Sequence, residues 1–252
     1  MIIDSHAHLG YDFVFDEEAD EDSLMSFYQK YGVDGAIVQP FINRPYIQDT
    51  VNIHNRIYEF SQAHPGKIWG MASINPHFTP EDYEKEARRC IEVLGFVGIK
   101  ITPVAHAVHP SSRDGLHVFE VAESLKVPIM IHTGAGAPFS DPVSILKALS
   151  SFKNVKVILA HGGSDAFFQQ ALYLAQTYEN VFVEPSWLSI INLRKLMNTI
   201  GVSRIMFSSD HAINVPVELT KYRVLIEDEI QLERVLSGTA IEVFNLNNTN
   251  GG

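Results

Sequence analysis

Short apolar runs rich in Ile and Val recur along the chain, at residues 2–3, 35–38, 68–73, 96–101, 127–131, 155–160, 181–183 and 205–207. Most are continuous instead of alternating, as expected of strands in a parallel sheet buried on both faces. The segments between them carry helical periodicity. Residues 23–31 place Leu24, Phe27, Tyr28 and Tyr31 on one stripe. Residues 80–94 open on Glu81 and Asp82, which favour a helix N-terminus, and stop before Gly95. Residues 166–178 and 190–200 are amphipathic in the same way.

The runs begin roughly 25–35 residues apart, about the length of one strand and one returning helix. Eight such units in 252 residues predict an α/β fold, a single (β/α)8 TIM barrel with its active site at the C-terminal ends of the strands. A doubly wound open sheet would show a Gly-rich phosphate loop early. Gly10 stands alone, and Gly134-Ala135-Gly136 lacks the rest of a dinucleotide fingerprint. No low-complexity linker or repeat interrupts the series. The expectation is one domain over residues 1–252, with the polar stretch 245–252 frayed.

Composition narrows the function. With 46% hydrophobic and 19% charged residues the chain is globular. A net charge of −11 argues against nucleic acid or an anionic membrane as partner. The single cysteine, Cys90, excludes a disulfide within the chain. Residues 1–6 contain neither a basic leader nor an apolar stretch, and no window reaches the ~18 apolar residues of a membrane span. These features predict a soluble, cytoplasmic protein acting on a small molecule.

Histidine carries the chemistry. The first run enters Asp4-Ser5-His6-Ala7-His8, where strand alternation puts Asp4, His6 and His8 on one face. Two imidazoles one pleat apart can reach the same metal ion. His132 ends the fifth run, His161 ends the sixth, and Asp210 follows the eighth. All lie at strand C-termini, where barrels of this kind place their active sites.

In the motifs Asp4-Ser5-His6-Ala7-His8, Gly98-Ile99-Lys100, Ile131-His132-Thr133-Gly134, Ala160-His161-Gly162-Gly163 and Ser209-Asp210, the chain resembles the amidohydrolase superfamily. The resemblance is to its amidohydrolase-related branch, which includes aminocarboxymuconate-semialdehyde and resorcylate decarboxylases. It implies one divalent ion held by His6, His8 and His132, with Asp210 as ligand or general base and His161 as acid or oxyanion stabiliser. Water on an ion with three imidazole ligands ionises near pH 7. Nitrogen and oxygen ligands without thiolate suit Zn2+ first, with Mn2+ and Fe2+ as alternatives. Lys100 stands where dinuclear relatives carry a carboxylated lysine between two ions, His132 and His161 then serving the second. Otherwise it pairs with a carboxylate or binds substrate. The expected reaction is hydrolysis of an amide, ester or lactone, and the alternative is decarboxylation on the same ligands. The resemblance also suggests a homodimer.

The remaining candidates are outer groups. Arg44 follows the second run and is placed to clamp a substrate carboxylate. His106 and His109 lie in the loop after the fourth run, His211 adjoins Asp210, and Glu184 and Trp187 follow the seventh run. The acidic segment 10–22 reads as a lid that brings Tyr11, Phe13 and Phe15 over the site.

Overall fold

The structure is a computed structural model that describes residues 1–134 and 138–246. Its strands are β1 (Ile3–Asp12), β2 (Glu17–Ala19), β3 (Gly35–Pro40), β4 (Ile68–Gly70), β5 (Ala72–Ser73), β6 (Ile99–Ile101), β7 (Ile129–His132), β8 (Val157–Ala160) and β9 (Val181–Glu184). Apart from the antiparallel β1–β2 hairpin, neighbours pair in parallel, in the orders β2-β1-β3-β4 and β5-β6-β7-β8-β9. Met71 divides β4 from β5, and its N–H still bonds Val38 O at 2.8 Å, so the predicted strand 68–73 continues across a break in the ladder. The eighth run, 205–207, forms single bridges in place of a strand. Met206 N bonds Val183 O on one side, and Ser5 N bonds Phe207 O on the other. Backbone bonds therefore pass from β9 through this segment back to β1, the connectivity of a (β/α)8 barrel.

The continuous hydrophobicity of the runs follows from this arrangement. Ala36 and Val38, Ile129 and Ile131, and Val181 and Val183 pack outward against the helices. Ile37, Met130, Ile158, Phe182 and Met206 point inward, where Ala240, Val243, Phe244 and Leu246 close the lower end. One pleat higher, the inward positions turn polar: Gln39, Ser73, Lys100, His132, Glu184 and Ser208, all but His132 buried.

The helices begin where their caps dictate. Asp20 accepts from Ser23 N, Thr79 from Asp82 N, Ser112 from Gly115 N and Ser189 from Asn192 N. The expected helix over 80–94 is α-helical for Pro80–Arg88 and then widens into a π turn, Arg89–Val93. The expected lid over 10–22 proves to be mostly a hairpin. β1 runs on to Asp12, whose carboxylate accepts from Val14 N and Phe15 N and so turns the chain into β2. Of the expected frayed stretch, Asn245 ends the last helix in a left-handed conformation and Leu246 is buried, while residues 247–252 lie outside the described residues. Among the described residues, no helix is long and apolar enough to cross a membrane.

Candidate metal centre

The centre starts with a fault in β1. Pairing with β3 shifts register between Asp4 and Ala7, so one extra residue is accommodated there. The alternation that would put Asp4 beside His6 and His8 is broken. Asp4 turns away instead, where its buried carboxylate accepts from Tyr28 OH, Ser209 N and the N–H of His6. Burial pushes its pKa up to about 7 against those hydrogen bonds. Asp4 is thus a brace between β1, the first helix and residue 209, and not part of the histidine face.

Beyond the bulge, His6 and His8 converge. Their Nε2 atoms stand 3.0 Å apart, and Asp210 Oδ1 lies 3.2 Å from one and 3.3 Å from the other. The other ring nitrogens fix the tautomers, because His6 Nδ1 donates to Glu184 Oε2 at 3.1 Å and His8 Nδ1 donates to Pro40 O at 3.2 Å. Two imidazole lone pairs and a carboxylate oxygen therefore face one another. Burial lowers the pKa of His6 to about 3 and also lowers that of His8, keeping both neutral. Burial works against ionisation of Asp210 too, but the neighbouring His161 imidazole, foremost among the opposing influences, holds it well below the usual carboxylate range. Bare lone pairs at such separations repel unless a cation lies among them, and ligands ~2.0–2.2 Å from a shared ion have this spacing. The donor set fits a divalent metal.

Lys100 supplies the cation seen beside these atoms. It is 2% exposed, and its Nζ donates to His6 Nε2 at 2.8 Å. Burial brings its pKa down to about 8, with Asp210 and Glu184 acting in the opposite direction. Glu184, fully buried at the end of β9, receives His6 Nδ1, His161 N, Ser186 N and Ser208 Oγ. Burial disfavours its charge, yet His6 and these donors hold it near 2. His161 is anchored by Ser186 through Nδ1 at 2.8 Å and reaches His132 through Nε2 at 3.1 Å. His132 lines the same cavity and meets His161, while the ligand atoms that lie within 4.8 Å of one another there are those of His6, His8 and Asp210 and of His6, His161 and Glu184.

The backbone is strained where these groups are presented. His161, Trp187 and Asp210 all adopt left-handed conformations, with φ of 63°, 66° and 65°. Each costs of order 1–3 kcal/mol, sustained by the surrounding structure.

A cavity of about 250 Å3 opens over the cluster, lined by His8, Asp12, Phe15, Glu17, Phe41, Ile42, Lys100, Thr102, Val104, His132, His161, Asp210 and His211. Arg44 and His106 line a neighbouring cavity of about 560 Å3 that shares Phe41 and Ile42 with it. The Arg44 guanidinium stacks on Phe13 there, 4.7 Å from the ring centre. His106 is neutral, its pKa lowered by burial to about 4, and its Nδ1 accepts from Thr102 N. His109 accepts from Ser111 N in a turn. A larger hollow, about 930 Å3, opens at the opposite end beside Met1 and Trp69, and among the described residues no convergent ligand group lines it. A separate convergent group, His54, Glu86 and Cys90, is a closed network: His54 Nδ1 donates to Glu86, and its Nε2 accepts from Ser73 N.

Glu184 reads in the sequence only as an outer group at the end of an apolar strand, because the contacts that make it central come from residues distant in the chain. Gln39 carries no signal in the sequence that marks it as part of the site. It is fully buried in the polar ring, its Nε2 3.4 Å from His8 Nε2 and its Oε1 without a hydrogen-bond partner among the described residues.

Comparison with known proteins agrees with this architecture. The 2,6-dihydroxybenzoate decarboxylase from Rhizobium superposes with a TM-score of 0.77 at 16% identity, covering 98% of this chain and 99% of its own. The 5-carboxyvanillate decarboxylase from Sphingomonas paucimobilis gives 0.76 at 15%, covering 97% and 98%. A dihydroxybenzoic acid decarboxylase from Polaromonas sp. JS666, solved with manganese and 2-nitroresorcinol, gives 0.77 at 17%, covering 98% and 97%. At such identities the likeness establishes the fold. The family follows from the sequence profile of the amidohydrolases, which matches residues 3–246, and the chain belongs to that family.

Proposed function

We propose that the protein is a metal-dependent, non-oxidative decarboxylase of a small planar carboxylic acid. The observation that carries this reading is the buried ammonium of Lys100 set against the convergent lone pairs of His6, His8 and Asp210. A divalent ion among those atoms, added to Lys100 and set against the carboxylates of Asp210 and Glu184, gives the cluster at the cavity floor one net positive charge, while Asp12 and Glu17 line the same cavity. Such a floor suits a substrate that arrives as a carboxylate. The walls of Phe15, Phe41, Ile42 and Val104 suit a flat apolar body, and about 250 Å3 accommodates a single ring with small substituents.

His6, His8 and Asp210 would hold the ion, which supplies Lewis-acid stabilisation of negative charge as the carbon–carbon bond breaks. Asp210 acts as a ligand rather than a base, because Oδ1 faces the histidines while Oδ2 accepts from the indole of Trp187. Lys100 receives the substrate carboxylate. His161, oriented by Ser186, faces the cavity beside His132 and delivers the proton that replaces carbon dioxide. We keep Lys100 as an unmodified ammonium: its Nζ holds the lone pair of His6 Nε2, and an ion on that nitrogen would release it toward the substrate carboxylate. The nitrogen and oxygen donors suit Mn2+, Fe2+ or Zn2+, and the manganese of the Polaromonas relative puts Mn2+ first in any trial. Hydrolysis of an amide, ester or lactone would use the same ligands. The decarboxylases among the similar structures and the cationic floor favour carbon–carbon cleavage.

The test offers Mn2+- or Zn2+-loaded protein ortho-hydroxylated benzoates, including 2,6-dihydroxybenzoate and 5-carboxyvanillate, alongside aryl esters and lactones. The expected result is carbon dioxide with one phenol formed per acid consumed. Turnover of esters or lactones, with no carbon dioxide from any acid, overturns the reading.

A further inference from the structure

Asp210 is approached on its far side by Trp187. The indole Nε1–H donates to Asp210 Oδ2 at 2.7 Å, while Oδ1 faces His6 and His8. The two carboxylate oxygens therefore have separate partners. Trp187 is held in place from below, because its backbone N–H donates to Glu218 Oε1 at 2.9 Å and Asn214 and Lys221 fix Glu218 in turn. A bulky side chain in the left-handed region is strained, and here the strain aims an indole at a half-buried carboxylate. The ring is 51% exposed and meets His211 edge-on, 6.1 Å between centres.

We infer that Trp187 is a positioning residue for the metal centre: its indole occupies Asp210 Oδ2, so that Asp210 offers the ion one oxygen, and its emission reports whether the ion is bound. The inference rests on the proposed role of Asp210 as a ligand. An unrestrained carboxylate swivels between binding through one oxygen and through two, and a fixed donor on the second oxygen removes that freedom. An indole suits the task because it is a donor only and offers no acceptor atom. When an ion draws charge from Asp210, the field along the indole N–H changes, and the excited state of the ring senses it. The other tryptophan, Trp69, lies in β4 beside the hollow at the opposite end.

The experiment titrates Zn2+ into the chelator-stripped full chain. Zn2+ has a filled d shell, so a change in emission reports the indole and not paramagnetic quenching. In Trp69→Phe, where Trp187 is the only indole, the emission is expected to shift saturably at one ion per chain. In Trp187→Phe, which keeps an aromatic ring but loses the N–H, Trp69 emission stays flat and calorimetric Zn2+ affinity falls about tenfold. If the unaltered protein binds Zn2+ but Trp187 emission does not respond, or Trp187→Phe binds with unchanged affinity, the inference is overturned while the metal centre stands. If the unaltered protein binds neither Zn2+ nor Mn2+, the reading of Asp210 fails and takes the inference with it. The Trp69→Phe arm leaves Trp187 intact and does not depend on whether Trp187→Phe folds.

Discussion

The lower and upper halves of the barrel interior are built from the same strands and obey different rules. Ile37, Met130, Phe182 and Met206 fill the lower half, and two residues further along the same strands stand Gln39, His132, Glu184 and Ser208. Below, side chains need only fit, because apolar packing is set by volume and shape. Above, groups such as Glu184, His6 and His161 each depend on named partners, and buried charges paired in this way contribute little net stability. One pleat separates the part of the molecule that holds the fold from the part that does chemistry.

The sharpest way to break that division is Phe182→Ala in the lower half. It should destabilise the protein by about 3–5 kcal/mol in urea unfolding, while Mn2+ still binds with its original affinity below the transition. Lost metal binding with unchanged stability would show that the halves are not separable. In the upper half, Glu184→Gln is expected to do the reverse. The carboxylate receives donors at both oxygens, whereas an amide accepts at only one end, so His6 loses its orientation or another donor is left unmatched. Metal affinity should fall about 10–100-fold by calorimetry, and a Glu184→Gln protein with unaltered affinity would remove Glu184 from the centre.

The smallest effect tests the boundary itself. Asp4 binds its proton more tightly in the folded chain, with a pKa of about 7, than in the unfolded one. Stability should therefore drain away as pH rises through about 7, by about 1.4 kcal/mol between pH 6 and pH 8. Asp4→Asn should flatten that slope in denaturant titrations at several pH values. An identical slope in the variant would assign the pH dependence to another group.

The barrel was legible because strands buried on both faces read as unbroken apolar runs. Even the run at 205–207 was found where it closes the ring, although it forms only bridges there. The clustering of His6, His8 and Asp210 was legible because strand ends converge at one mouth of a barrel. What alternation could not reveal was an irregularity in alternation. The extra residue in β1 sent Asp4 to the other side, and Asp12 turned the acidic segment into a hairpin by capping its own bend. Arg44 and His106 were correctly placed near the strand ends but occupy the adjoining compartment, which depends on how Phe41 and Ile42 divide the space. The weight of Glu184 is not legible in the sequence because it lies in contacts with residues 6, 161 and 208, far away in the chain.

The inserted residue in β1 acts as a phase shifter. Upstream of it Ile3 faces the barrel axis, and downstream His8 does so, although the two positions differ by an odd number. The two ends of the strand are thereby uncoupled in parity. Deleting one residue between Asp4 and Ala7 would preserve composition almost entirely and yet oblige the strand to choose between seating its apolar foot and presenting its imidazoles. Anyone transplanting this histidine pair into another barrel would have to carry the irregularity along with the side chains.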